Sequence, residues 1–140
     1  MKSSIPQILY TEDDADTREL VSFVLTMSNC KVTLANSDHE ALILARANQF
    51  DLYMLDNWMP GCSGIDLCKR LREFDSITPI LFYSGAAYDS DKQEAFASGA
   101  QGYLTKPADH DELVKAVFHL ISEAKTDIQG KESMVMSQMV

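Results

Sequence analysis

The chain has 140 residues, and its 12 Lys and Arg against 21 Asp and Glu give a formal net charge of −9. This length suits a single domain, and 46% hydrophobic with 24% charged residues is typical of a folded globular protein. The acidic excess argues against direct binding to nucleic acid or to anionic membranes, because both kinds of affinity come from Lys and Arg. No apolar stretch is long enough for a membrane span and no secretory signal is apparent, so we expect a cytoplasmic protein without a membrane partner.

Short apolar runs rich in β-branched and aromatic residues predict five strands. They cover residues 8–11, 32–35, 52–55, 80–83 and 103–105. The longer segments between them have helical periodicity. In the first helix, the spacing i, i+3, i+4, i+7 predicts a buried face made of Leu20, Phe23, Val24 and Met27.

Two later helices differ in how much apolar surface they offer. The last helix repeats the buried spacing over three turns, at Leu113, Ala116, Val117, Leu120, Ile121 and Ala124. The fourth helix, residues 89–98, has only three apolar residues, at 95–97. A helix that buries so little is expected to be weakly held and free to move.

Strand and helix alternate five times, which predicts an α/β fold with a parallel sheet and helices on both faces. We expect a doubly wound, flavodoxin-like (βα)5 domain with the strand order 2-1-3-4-5. In such a sheet, ligands bind beyond the carboxyl ends of the strands, at the switch point between the first and third strands. The residues that follow each strand are therefore the candidate functional residues.

Acidic residues follow the first and third strands. Glu12 and Asp13 come after the first strand, and Asp56 ends the third. Because these two strands are neighbours at the switch point, the three carboxylates should converge, and they would repel each other without a positive charge among them. Mg²⁺ prefers such a set of hard oxygen ligands, so the sequence predicts a magnesium site.

A hydroxyl and an ammonium group follow the fourth and fifth strands, at Ser84 and Lys106. Both suit a phosphoryl group placed on the other side of Asp56. The chemistry that this set permits is attack of the Asp56 carboxylate on phosphorus, while the metal and Lys106 balance the charge on the phosphoryl oxygens. The product, an aspartyl phosphate, is labile and suits a temporary signal.

Four segments carry a family resemblance: ILYTEDDADTREL, DLYMLDNWMPGCSGIDLCKRLR, PILFYSG and GAQGYLTKP. Together they resemble the receiver domain of CheY-like, two-component response regulators over residues 5–125. The resemblance implies that Asp56 is the phosphoacceptor and that Glu12 and Asp13 are the Mg²⁺ pair. It further implies that the main-chain carbonyl of Trp58 is a metal ligand.

The same resemblance implies a switch behind the acceptor. Ser84 would turn toward the phosphoryl group, Tyr103 would swing inward behind it, and Lys106 would pair with the phosphoryl oxygens. The peptide bond between Lys106 and Pro107 is expected to be cis, which X-Pro bonds tolerate at small cost.

Two residues depart from the common pattern of the family. Glu12 stands where Asp is commoner and reaches one methylene further, so we expect it to act on Mg²⁺ through a water. Trp58 is bulky and flanks the acceptor, where we expect it to shield the acyl phosphate from water.

The leading hypothesis is a receiver that takes a phosphoryl group from a histidine kinase or a histidine phosphotransfer protein. We expect that it is not an enzyme, apart from its own phosphorylation from a donor and its own dephosphorylation. It would signal to a downstream protein through the fourth helix, fifth strand and fifth helix, and phosphorylation-dependent homodimerisation stays open. One alternative is a metal-dependent phosphatase of similar topology, which needs an acid where Trp58 stands. The other is a receiver-like module that binds its partner unphosphorylated.

The last segment, residues 126–140, is a short Met-rich stretch. We expect it to be a frayed tail, because chain ends are poorly ordered unless they are tied down. On this interpretation residues 5–125 form the receiver domain, and no output domain follows.

Overall fold

The computed structural model describes the backbone of residues 5–138 and the side chains of residues 5–127. The elements, in chain order, are β1 (Gln7–Thr11), α1 (Ala15–Met27), β2 (Lys31–Ala35), α2 (Asp38–Ala47), β3 (Leu52–Leu55), β4 (Trp58–Met59), β5 (Cys62–Ser63), α3 (Gly64–Arg72), β6 (Ile80–Ser84), α4 (Asp89–Ser98), β7 (Gly102–Thr105) and α5 (His110–Gln138). Within this described part of the chain, no helix has both the length and the apolar character needed to cross a membrane.

The main sheet has five parallel strands in the order β2-β1-β3-β6-β7. This confirms the predicted flavodoxin-like order, because β4 and β5 form a separate antiparallel hairpin of two residues each. In the main sheet Thr11, the last residue of β1, pairs with Leu55, the last residue of β3. The residues that follow these strands therefore emerge side by side.

The central strands β1, β3 and β6 are almost entirely buried, as expected for a parallel sheet covered on both faces. One face packs against α1 and α5, and Tyr10 and Met54 belong to that core. The other face packs against α2, α3 and α4, and Leu9 and Leu55 belong to that second core. Successive side chains of a strand point to opposite faces, which is why residues 9 and 10 lie in different cores.

The prediction of the buried face of α1 is confirmed for Val24 but wrong for Leu20, Phe23 and Met27. Leu20, Phe23 and Met27 are 59%, 63% and 69% exposed, and the buried residues are Val21, Val24 and Leu25. The exposed and the buried residues lie on neighbouring faces of the helix, which differ by a rotation of about one residue position around the helix axis. The structure therefore leaves an apolar stripe of Leu20, Phe23 and Met27 on the surface.

The last two helices differ in how they are held. Ala95 is the only residue of α4 that is buried, in agreement with the low apolar content predicted for it. The last helix, α5, buries Leu113, Val117, Leu120 and Ile121 as predicted, and its backbone stays helical to Gln138. The backbone of the Met-rich segment is thus helical to Gln138, residues 139–140 lie outside the described part, and the frayed end stays a prediction.

Candidate functional site

Three carboxylates meet at the carboxyl end of the sheet. Oxygen atoms of Glu12, Asp13 and Asp56 lie within 4.8 Å of one another. Glu12 and Asp56 are buried, and Asp13 is exposed. The structure thus brings together the acidic residues that the sequence placed at the ends of β1 and β3, with one carboxylate open to solvent.

The ammonium group of Lys106 lies among these carboxylates. Its Nζ is 2.5 Å from Oε1 of Glu12 and 3.6 Å from Oδ2 of Asp56. The peptide bond between Lys106 and Pro107 is cis, as predicted. Lys106 therefore forms its shorter contact with Glu12 and not with Asp56, a preference that the sequence did not indicate.

Asp56 is followed by the β4–β5 hairpin, and Trp58 begins it. The main-chain N–H of Trp58 donates to Oδ1 of Asp56 at 3.4 Å, and the indole side chain is 67% exposed. The hairpin returns to the end of β3 at Gly64, whose N–H donates to the carbonyl of Asn57 at 2.9 Å. This closed loop fixes the backbone on the carboxyl side of Asp56.

Ser84 and Tyr103 both contact the loop before α4. The buried Oγ of Ser84 accepts a hydrogen bond from the N–H of Ala86 at 3.3 Å, and the hydroxyl of Tyr103 donates to the carbonyl of Ala86 at 2.5 Å. The ring of Tyr103 stacks on Phe82, with centroids 5.7 Å apart and an interplanar angle of 3°. Tyr103 is half-buried, and burial raises the pKa of its hydroxyl, which remains a neutral donor.

Comparison with known proteins identifies the family. The family model described as the response regulator receiver domain matches residues 8–118. The chain belongs to this family. Among solved structures it is similar to the receiver domain of the Francisella response regulator 1452, with 32% identity and a TM-score of 0.79 over 84% of this chain and 98% of that one. It is also similar to the Vibrio cholerae chemotaxis protein CheY4, with 30% identity and a TM-score of 0.78 over 84% of this chain and 99% of that one.

Curated relatives include longer regulators. The chain is 31% identical to the cell cycle transcriptional regulator CtrA of Caulobacter vibrioides over 89% of its own length, but it spans only 54% of CtrA. It spans a similar share, 57%, of the DNA-binding dual master transcriptional regulator RpaA of Synechocystis. The chain thus covers about half the length of these two relatives, and the expectation of no nucleic-acid partner stays a prediction.

Tyr10 is a residue of this receiver domain that the sequence patterns did not indicate. It is fully buried, and its hydroxyl donates to Oε1 of Glu12 at 3.0 Å. Burial, together with the charge of Glu12, raises the pKa of Tyr10, which stays protonated. A tyrosine in a buried strand normally indicates packing alone, but its position two residues before Glu12, on the same face of the strand, was the available signal.

Glu12 itself is held at both carboxylate oxygens. Oε1 accepts from Tyr10 and from Lys106, and Oε2 accepts from the N–H of Asp14 at 3.3 Å. Burial raises the pKa of Glu12, and the hydrogen bond from Lys106 opposes this effect. The ionised form of the buried Glu12 carboxylate is therefore stabilised by its three hydrogen-bond donors, which are Tyr10, Lys106 and the N–H of Asp14.

Arg18 is a second residue that sequence analysis did not select. Its Nη1 donates to the carbonyl of Glu12 at 2.8 Å and to that of Asp13 at 3.3 Å. The guanidinium group therefore ties the start of α1 to the acidic segment and adds a positive charge beside it.

Proposed function

We propose that the chain is a phosphoacceptor receiver in which Asp56 accepts a phosphoryl group. The observation that carries this proposal is the position of the buried Asp56 carboxylate, between the acidic pair on one side and the Lys106 ammonium on the other. An oxygen of Asp56 attacks phosphorus, the bond between phosphorus and the donor's imidazole nitrogen breaks, and the imidazole leaves with the electron pair. The product is an aspartyl phosphate.

The residues fit a magnesium ion. Their donors are hard oxygens on three carboxylates within 4.8 Å, one of them exposed to solvent, which is the donor set that Mg²⁺ prefers. Glu12, Asp13, Asp56 and the carbonyl of Trp58 would hold it. When bound, the ion would neutralise charge on the phosphoryl oxygens and on the crowded carboxylates.

Lys106 has a separate role in this proposal. Its Nζ contacts Glu12 in the unmodified protein but lies only 3.6 Å from Asp56. A phosphoryl group on Asp56 would bring new oxygens within reach, and the ammonium would move from Glu12 to pair with them. This pairing holds the charged group in a fixed orientation.

The contacts around Ala86 would carry the signal away from Asp56. Ser84 ends β6, the strand beside β3, and accepts a hydrogen bond from the N–H of Ala86, whose carbonyl accepts from Tyr103. Movement of the Ser84 hydroxyl toward the phosphoryl group would release the N–H of Ala86 and shift the loop before α4. Because α4 buries only Ala95, it can respond at low cost, and the surface of α4, β7 and α5 would contact a downstream protein or a second copy of the chain.

The proposed phosphodonor is a histidine kinase or a histidine phosphotransfer protein. The stripe of Leu20, Phe23 and Met27 supports a protein donor, because it is an exposed apolar surface on the helix that begins beside the acidic cluster. Contiguous exposed apolar residues rimmed by polar ones are typical of contact sites between proteins. On this proposal the chain modifies only itself and works in the cytoplasm, and neither nucleic acid nor a membrane is its direct partner.

The phosphatase alternative has less support. Trp58 occupies the position two residues after Asp56, where that class would place its general acid, and its exposed indole has no acidic group to offer. A module that works unphosphorylated would not need the buried Asp56 beside Lys106.

The test uses Trp58, the only tryptophan in the chain. The protein is incubated with Mg²⁺ and acetyl phosphate, and in parallel with Mg²⁺ and beryllofluoride, while Trp58 fluorescence and intact mass are followed. We expect a fluorescence change and the mass of one phosphoryl group in the wild type, and neither in Asp56→Asn. An unmodified wild type, or equal modification of Asp56→Asn, would refute the proposal.

A further inference from the structure

The buried hydroxyl of Tyr10 is placed to act on the metal site without contacting the metal. Tyr10 and Glu12 are two residues apart on β1, so both side chains point to the same face. The Tyr10 side chain extends along the strand, and its hydroxyl donates to Oε1 of Glu12 at 3.0 Å. The ring is 0% exposed and packs in the core beneath α1 and α5, so the hydroxyl is held in one place.

Glu12 needs such a partner more than an aspartate would. Its longer side chain has an additional rotatable bond, so fixing it in one orientation costs more conformational entropy than fixing an aspartate side chain does. Lys106 donates to the same Oε1 atom at 2.5 Å. In the proposed mechanism Lys106 moves to the phosphoryl group, and the buried Oε1 then keeps only the bond from Tyr10.

We propose that Tyr10 is a positioning residue, which holds the Glu12 carboxylate in the orientation that faces the metal site. This inference rests on the proposed function, because it requires the Mg²⁺ site. Tyr10 contacts neither Asp13 nor Asp56 by a hydrogen bond, so its effect on Mg²⁺ affinity must pass through Glu12. Partners that orient a metal ligand in this way usually contribute at least about tenfold to metal affinity.

The experiment is a Mg²⁺ titration of Tyr10→Phe followed by Trp58 fluorescence, which measures binding without phosphorylation. We expect a dissociation constant about tenfold higher than in the wild type. Tyr53→Phe is the matched control. Tyr53 is equally buried, and its hydroxyl donates to Oδ2 of Asp75 at 2.8 Å, but it lies on β3 near the amino end of the sheet, away from the acidic cluster.

A second pair of variants separates positioning from a general loss of stability. In the Glu12→Gln background the carboxylate that Tyr10 orients is gone, so adding Tyr10→Phe should change the Mg²⁺ dissociation constant by less than about twofold. An equal effect of Tyr10→Phe in both backgrounds, or equal weakening by Tyr53→Phe, would overturn the inference. An unchanged Mg²⁺ affinity in Tyr10→Phe would overturn it as well. A wild-type protein that does not respond to Mg²⁺ at all would refute the proposed metal site itself.

Discussion

Replacing Gly64 by alanine is predicted to disrupt both the stability of the domain and the geometry of Asp56. Gly64 is the first residue of α3, at the point where the helix passes the end of β3. A Cβ atom there would lie 2.5 Å from the carbonyl oxygen of Asp56, and 2.9 Å from both Cα of Asn57 and Cε2 of Phe82. Ordinary contacts begin at 3.4 Å, so the closest pair must separate by about 0.9 Å.

The size of the effect follows from what Cβ would meet. Two of the three atoms belong to the backbone of Asp56 and Asn57, so they cannot move away as the end of a flexible side chain could. We therefore expect a loss of about 2–3 kcal/mol in the free energy of unfolding, the upper part of the range for overpacked sites. A displacement of Asp56 by nearly 1 Å should also slow phosphorylation by roughly a hundredfold.

Urea unfolding measures the first effect, and the rate of modification by acetyl phosphate measures the second. Gly85→Ala is the matched control for stability, since its Cβ would have no neighbour within 4 Å in the described part of the chain. We expect that variant to unfold within about 0.5 kcal/mol of the wild type. If Gly64→Ala matched the wild type in stability and in phosphorylation rate, the close approach of α3 to Asp56 would affect neither property and the prediction would be refuted.

Four further predictions follow from single contacts. Thr11→Val should raise the free energy of unfolding by about 1 kcal/mol, because the buried Thr11 hydroxyl has no hydrogen-bond partner among the described residues; a less stable variant in urea would contradict this. Burial opposes ionisation of Asp75, but hydrogen bonds from Thr78 and its neighbours outweigh it and lower the pKa of Asp75 below 3.8. The stabilisation from ionised Asp75 is thus present above pH 3.8 and is lost as pH falls through the lower pKa of the folded protein. The free energy of unfolding of Asp75→Asn should therefore depend less on pH in this acid range than that of the wild type, and an equal pH dependence of the two proteins would refute the prediction. Phe23→Ser should slow phosphotransfer from the cognate phosphohistidine protein by about tenfold and leave the acetyl phosphate reaction unchanged; equal effects on both donors would exclude docking. Trp58→Asn should shorten the lifetime of the aspartyl phosphate, and an unchanged lifetime would argue against shielding by the exposed indole.

The sheet and its switch point were predictable because they depend on patterns within short segments. Each strand is a brief apolar run, and parallel strands joined by right-handed crossovers leave few arrangements. Once β1 and β3 are neighbours, Glu12 and Asp56 must emerge beside each other. The convergence of carboxylates, and the need for a positive charge among them, follows from topology and Coulomb repulsion alone.

The orientation of α1 was not predictable in the same way. The predicted face of Leu20, Phe23, Val24 and Met27 and the observed face of Val21, Val24 and Leu25 share Val24 and are both apolar at helical spacing. Which set faces the core depends on the direction in which the chain enters the helix, at the cap formed by Asp14. Periodicity gives the presence of an amphipathic helix, but tertiary packing decides its rotation.

The contact made by Lys106 shows why side-chain length matters beyond sequence pattern. The strand-end positions predicted that Lys106 would lie near Asp56, and its Nζ is 3.6 Å from Oδ2 of Asp56. The longer side chain of Glu12 reaches further, however, and its Oε1 lies closer to the ammonium group, at 2.5 Å. Pairing with a phosphoryl group on Asp56 would therefore require Lys106 to leave a buried carboxylate. A buried charge without partners is costly, and Tyr10 and the N–H of Asp14 would then be the donors left to hold Glu12 in its ionised form. On the proposed function, the hydrogen bond from Tyr10 to Glu12 would thus affect how easily Lys106 can respond to phosphorylation.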